Sequence, residues 1–298
     1  MKILLFGKNG QVGWELQRAL APLGELVALD FDSAGPLSAD FSKPESLAAT
    51  VRAVRPQIIV NAAAHTAVDK CESEPELARA LNAASPAVLA REGRALGAWL
   101  LHYSTDYVFD GSGDTARSEE APTGPLSVYG RTKLEGEAAI RASGCLHLIL
   151  RTSWVYAARG GNFAKTMLRL AAERDRLTVI DDQIGAPTGA ELLADVSAHA
   201  LRGALARPQV AGTYHAVAQG ETSWHGYACH VIEAARAAGR PIKVMRDRIE
   251  PVPTTAFPTP AERPKNSRLD TRKLRETFGL ALPQWQTGVD RMLAEISI

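Results

Sequence analysis

The chain has 298 residues, 46% of them hydrophobic and 22% charged, with a formal net charge of +1. That length supports one large core or two unequal domains, and the composition excludes a disordered or fibrous protein. Near-neutrality excludes a general attraction to nucleic acid or anionic lipid, so any anionic ligand must be met by local groups.

The apolar run Ile3 to Phe6 predicts a buried first strand; it stops at Gly7, too early for a signal peptide. Gly7-Lys-Asn-Gly10-Gln11-Val12-Gly13 follows, and Val12, Leu16, Ala19 and Leu20 then recur at helical spacing until Pro22 and Gly24. Glycines between a strand and a helix let backbone approach a pyrophosphate at the helix N-terminus. Leu26 to Leu29 is a second strand, closed by Asp30, whose carboxylate stands where adenosine ribose hydroxyls bind. Asp30 favours NADH, whereas Lys8 in the turn can still meet a 2′-phosphate, so NADPH and NADH both stay open.

Ser42-Lys-Pro-Glu45 has the form of an N-cap with a capping Glu, ahead of a helix carrying Leu47, Val51 and Val54. Ile58 to Val60 is strand three. Asp40-Phe41 and Asn61-Ala-Ala63-Ala64-His65-Thr66 fall at segment ends, where adenine and ribose contacts would lie. Glu74 to Leu96 reads as one long helix. Trp99 opens a fourth strand that delivers Ser104, Thr105 and Asp106 at its carboxyl end. A polar loop from Asp110 to Leu126 leads to a helix bearing Tyr129-Gly-Arg-Thr-Lys133, and Leu146 to Leu150 is strand five.

Residues four apart share a helix face, so the Tyr129 phenol lies beside the Lys133 ammonium. The positive charge is expected to lower the phenol pKa and make it a usable proton donor near neutral pH. Strand–helix alternation predicts an α/β fold: a Rossmann-type doubly wound parallel sheet with a smaller α/β C-terminal substrate domain. The expected boundary divides residues 1–157, a dinucleotide-binding domain, from 158–298, a sugar-nucleotide-binding domain. Segments near 189–217 are candidates to return to the first. Cys71, Cys145 and Cys229 are widely spaced and read as reduced thiols of a cytoplasmic protein, and no apolar run is long enough for a membrane span.

Together these motifs resemble the extended short-chain dehydrogenase/reductases. Ala62-Ala-Ala-His-Thr-Ala-Val68-Asp-Lys70, Ser104-Thr-Asp-Tyr-Val-Phe-Asp-Gly111, Arg151-Thr-Ser-Trp-Val-Tyr156, Asp182-Gln-Ile-Gly-Ala-Pro-Thr188 and Arg263-Pro-Lys-Asn-Ser-Arg-Leu269 narrow the resemblance to the dTDP-4-dehydrorhamnose reductases, over nearly the whole chain. The resemblance implies NADPH- or NADH-dependent reduction of a 4-keto sugar nucleotide. Tyr129 would donate the proton, Lys133 would hold the nicotinamide ribose, and Thr105 would bond the carbonyl oxygen. Trp154, Val68 and Asp106 would line the sugar pocket; Asn162, Arg263 and Lys265 are candidates for the diphosphate. Some relatives form homodimers with interfacial magnesium, for which Glu191 and Glu295 are candidate ligands. Two other readings share the motifs: a nucleotide-sugar epimerase or dehydratase, and a non-catalytic regulatory subunit like that of methionine adenosyltransferase.

Overall fold

The computed structural model describes residues 1–33 and 35–296. Its centre is a six-stranded sheet in which every neighbouring pair is parallel. The first five strands are β1 (Lys2–Phe6), β2 (Glu25–Leu29), β3 (Ile58–Asn61), β4 (Trp99–Thr105) and β5 (His147–Thr152). They lie in the order β2, β1, β3, β4, β5, and a sixth strand, Gly212–His215, adds beyond β5.

Strand side chains alternate between faces, and here both faces are apolar. Ile3, Leu5, Ile58, Val60, Leu148 and Leu150 pack under Leu16 and Leu20 of the helix Gln11–Leu20 and under Leu193 and Leu201 of Ala190–Leu205. Leu4, Phe6, Ile59, Leu100 and Ile149 face the opposite way, against Leu47, Val51, Leu89 and Ile140. Continuous apolar runs such as Ile3 to Phe6 therefore read as strands covered on both sides. The chain order reverses between β1 and β3, and the crevice beyond their carboxyl ends is where such sheets bind ligands.

Among the described residues, the remainder of the chain contributes to three smaller cores, two of them its own. One gathers Tyr156, Leu168, Tyr227, Val231, Trp285 and Val289; the other gathers Met167, Leu177, Val179, Ile232 and Ile249. The second is floored by a parallel pair, Leu177–Ile180 with Ile249–Val252. Ala190–Leu205 and Gly212–His215 interrupt this region and belong to the six-stranded layer, where Arg18 reaches Asp195 at 2.9 Å.

Three local expectations change. Ser42 is not the cap of its helix: Pro44–Val54 starts after Lys43 with no side-chain cap, Pro44 sits at the first position, and the Ser42 hydroxyl bonds Asp40 at 2.6 Å. Proline needs no N–H partner at a helix start, so the helix begins one residue later than a serine cap would set it. The long helix from Glu74 is three pieces, Pro75–Arg79, a π-turn Ala80–Ala84 and Ser85–Leu96. A short helix, Val68–Ser73, also precedes it, where the sequence predicts no element.

Candidate active site

Backbone at Gly7 has φ 83°, and a Cβ there would lie 2.7 Å from the Ala63 nitrogen. A Cβ on Gly13 would lie 1.8 Å from the Gly7 carbonyl oxygen. These glycines bring the turn hard against β3 and the first helix, leaving backbone rather than side chains at the crevice. Asp30 is anchored in place: it accepts from the Asn9 N–H at 2.9 Å and the Phe31 N–H at 2.8 Å.

A cavity of about 730 Å³ runs from this turn to the carboxyl end of β4. Gly7, Gly10, Gln11, Val12 and Asp30 line one end, with Asp40, Phe41, Ala63, Ala64 and Thr66 along its wall. Val68, Thr105, Asp106, Tyr129, Lys133 and Trp154 line the other end. Tyr107, Ser153 and Trp224 join that wall without having been singled out from the sequence. Tyr107 was legible beside Asp106; Trp224 lies about seventy residues beyond Trp154 in the chain, and nothing local in the sequence signals that they meet.

The helix Val128–Ala142 positions the Tyr–Lys pair. Ser127 caps it by accepting from the Gly130 N–H at 3.2 Å, and Tyr129 packs edge-on against Tyr107 with ring centroids 5.4 Å apart. Burial raises the Tyr129 phenol above its ordinary pKa, and its hydrogen bond with Thr105 offsets only part of that. Burial overturns the expectation of a lowered phenol pKa. Lys133 donates to the Tyr103 carbonyl at 2.5 Å, and burial brings its own pKa down to about 8. Desolvation outweighs the partner charge. A phenol held protonated at neutral pH still suits a proton donor.

Thr105 donates to Asp106 Oδ1 at 3.1 Å and accepts from the Tyr107 N–H at 3.2 Å. Asp106 is 2% exposed, its second oxygen has no partner, and burial pushes its pKa up to about 6. Trp154 sits at φ 50°, stacked on Trp224 with centroids 3.7 Å apart. Gly185 makes the room, since a Cβ there would lie 2.9 Å from the Trp154 ring. A left-handed, non-glycine residue held by an aromatic stack is the kind of strain that marks ligand clamps.

Other candidates lie off this wall. The His65 ring faces Glu74 at 3.1 Å, while its N–H and carbonyl are held by Asn82. Asn162 caps the helix Phe163–Glu173 and donates to the Ala157 carbonyl at 2.7 Å. Arg263 forks onto Asp69 at 2.8 and 3.2 Å and lines an adjoining cavity of about 620 Å³ that shares Trp224. Lys265 is exposed and pairs with Asp182 at 3.0 Å.

Similarity to known proteins agrees with this geometry. Residues 1–298 match the family model described as the RmlD substrate binding domain. The chain is 61% identical to a dTDP-4-dehydrorhamnose reductase of Escherichia coli (strain K12), covering 99% of this chain and 98% of that one. A crystal structure of a dTDP-4-dehydrorhamnose reductase from Clostridium acetobutylicum superposes with TM-score 0.88 at 35% identity, covering 100% of both chains. Another, from Bacillus anthracis in complex with NADP, gives TM-score 0.86 at 33% identity over 99% of each. The chain belongs to the RmlD family, that of the dTDP-4-dehydrorhamnose reductases.

Proposed function

We propose that Tyr129, Thr105 and Lys133 carry the reduction of the C4 keto group of dTDP-4-dehydro-6-deoxy-L-mannose (dTDP-4-dehydro-β-L-rhamnose) to dTDP-L-rhamnose, the last step in making that sugar nucleotide. The observation that carries this reading is one continuous cavity lined by the glycine turn at one end and these three side chains at the other. NADPH or NADH fits the turn, because a Cβ at Gly7 would close the cradle. Such a cofactor supplies hydride to the carbonyl carbon. Tyr129 gives its phenolic proton to the carbonyl oxygen as charge develops there, and the Thr105 hydroxyl bonds the same oxygen. Lys133 holds a ribose hydroxyl, and Asp30 accepts from the adenosine ribose. Trp154 and Trp224 close over the deoxysugar, with Val68 and Asp106 beneath. Arg263 and Lys265 exchange their carboxylate partners for the diphosphate.

Domain roles follow: residues 1–157, with Ala190–Leu205 and Gly212–His215 returning to them, hold the dinucleotide, and the rest of 158–298 holds the sugar nucleotide. Free Cys71, Cys145 and Cys229 fit a cytoplasmic location. No helix among the described residues is long and apolar enough to cross a membrane. Among them, too, no group of three or more His, Cys, Asp or Glu could hold a metal, and Glu191 is engaged by Arg291 at 2.7 Å. A homodimer remains part of the proposal, to be read by sedimentation.

An epimerase or dehydratase is disfavoured because the family is that of the reductases and Asp106 is the single carboxylate beside Thr105. The regulatory-subunit reading is disfavoured by the presence of Thr105, Tyr129 and Lys133 together. The test is Tyr129→Phe, followed by nicotinamide absorbance with the dTDP-4-keto sugar. The rate should fall by about 10²- to 10⁴-fold with cofactor affinity retained. Equal rates would remove Tyr129 as the proton donor.

A further inference from the structure

Behind Lys133 lies a buried pair that the reaction as described does not use. Asn61 of β3 and His102 of β4 are register partners across the sheet, and each is 1% exposed. Asn61 Oδ1 accepts from the Ala63 N–H at 3.1 Å, which fixes the amide orientation and turns its nitrogen toward His102 Nδ1, 3.0 Å away. An amide nitrogen has only protons to give, so Nδ1 is the acceptor, and a neutral imidazole then carries its proton on Nε2. That Nε2 lies 3.3 Å from Lys133 Nζ.

We propose that Asn61 and His102 are positioning residues that set the protonation state of Lys133. A His102 N–H aimed at Nζ attracts the lone pair of an amine and opposes an ammonium, which has only donors. An amine satisfies both of its neighbours, donating to the Tyr103 carbonyl and accepting from His102; an ammonium satisfies one. His102 does not escape by becoming imidazolium, because burial holds its pKa well below the ordinary value. The other groups facing Lys133 do not cancel this. Glu137, on the same helix, favours the ammonium but is committed to Arg151 at 2.8 and 2.7 Å and to Arg141 at 2.9 Å, and the Tyr129 phenol is neutral. Cofactor ribose oxygens would supply the acceptors that an ammonium needs, so the charged form is favoured when the site fills.

This inference rests on Lys133 meeting the cofactor ribose, and its first test needs neither substrate nor turnover. In ¹⁵N-histidine protein without cofactor, ring signals assigned through backbone correlation should show His102 with Nδ1 unprotonated and Nε2 carrying hydrogen. A proton on Nδ1 overturns the proposal, whatever the reaction proves to be. The second test is the pH dependence of kcat/KM for reduced cofactor, which reports free-enzyme groups. In His102→Gln a side-chain carbonyl can accept from the ammonium, and the basic limb should move up by about one pH unit. Should that variant not fold, Asn61→Asp presents only acceptors to Nδ1, draws the ring proton onto Nδ1, leaves Nε2 to accept from the ammonium and should move the limb the same way. A rate lowered equally at every pH, with the limb unmoved, assigns the pair a purely structural role and overturns the proposal.

Discussion

Asp106 shows most clearly how burial sets chemistry at a single residue. Its carboxyl is walled in, with one oxygen unpartnered and the other bonded by Thr105, and its pKa of about 6 stands above the ordinary 3.8. The folded chain therefore holds this proton more tightly than the unfolded chain. Its contribution to stability is full below about pH 4 and is lost as pH rises through 6. Asp106→Asn keeps the shape without the charge. Denaturant midpoints should show the variant gaining stability at pH 7.5, by about 3 kcal/mol at most, and little or none at pH 4. A gain of equal size at both values would refute the buried-charge account. The same desolvation explains why reading Tyr129 and Lys133 by spacing alone mispredicted the phenol: the two residues share a helix face as expected, but the lysine bonds the Tyr103 carbonyl.

At the scale of an element, Val128–Ala142 is the part on which the site depends. Gly136 lies within it, where glycine ordinarily weakens a helix by about 1 kcal/mol relative to alanine. A Cβ at Gly136 would stand 2.2 Å from the Asn82 carbonyl oxygen, on the neighbouring π-turn. Packing outweighs propensity here. Gly136→Ala should destabilise by about 2 kcal/mol or more, opposite in sign to the propensity rule, and thermal melts check it. Ser127→Ala, which removes only the cap, should cost about 1 kcal/mol. The helix and the strand before it were readable from sequence; the Ser127 cap was not singled out there. The π-turn was not readable, because Ala80 to Ala84 is an ordinary helix-forming run and its widened turn depends on Asn82 reaching His65 and Thr132 across space.

For the whole molecule the deciding contact is Arg263 with Asp69, which ties the C-terminal segment to the short helix Val68–Ser73 beside the cavity. If Arg263 meets the diphosphate, Arg263→Gln should raise KM for the sugar nucleotide roughly 10-fold and change kcat less. Steady-state kinetics with the dTDP and UDP forms separates this from a loss of fold. A KM unchanged for both would show that the arginine serves only the Asp69 bridge.

The apolar runs, the glycine turn, Asp30 and the Tyr–Lys spacing were determined by sequence alone, because each rests on local geometry: strand alternation, backbone approach and helix periodicity. They sufficed for the sheet and for the end of the cavity lined by Thr105, Tyr129 and Lys133. Tertiary structure decided what depends on distant groups meeting. It stacked Trp224 on Trp154, turned His65 toward Glu74 and made Asn162 a helix cap. It also set His102 behind Lys133, where desolvation, a property no single segment possesses, overrides the charge that the sequence led one to count.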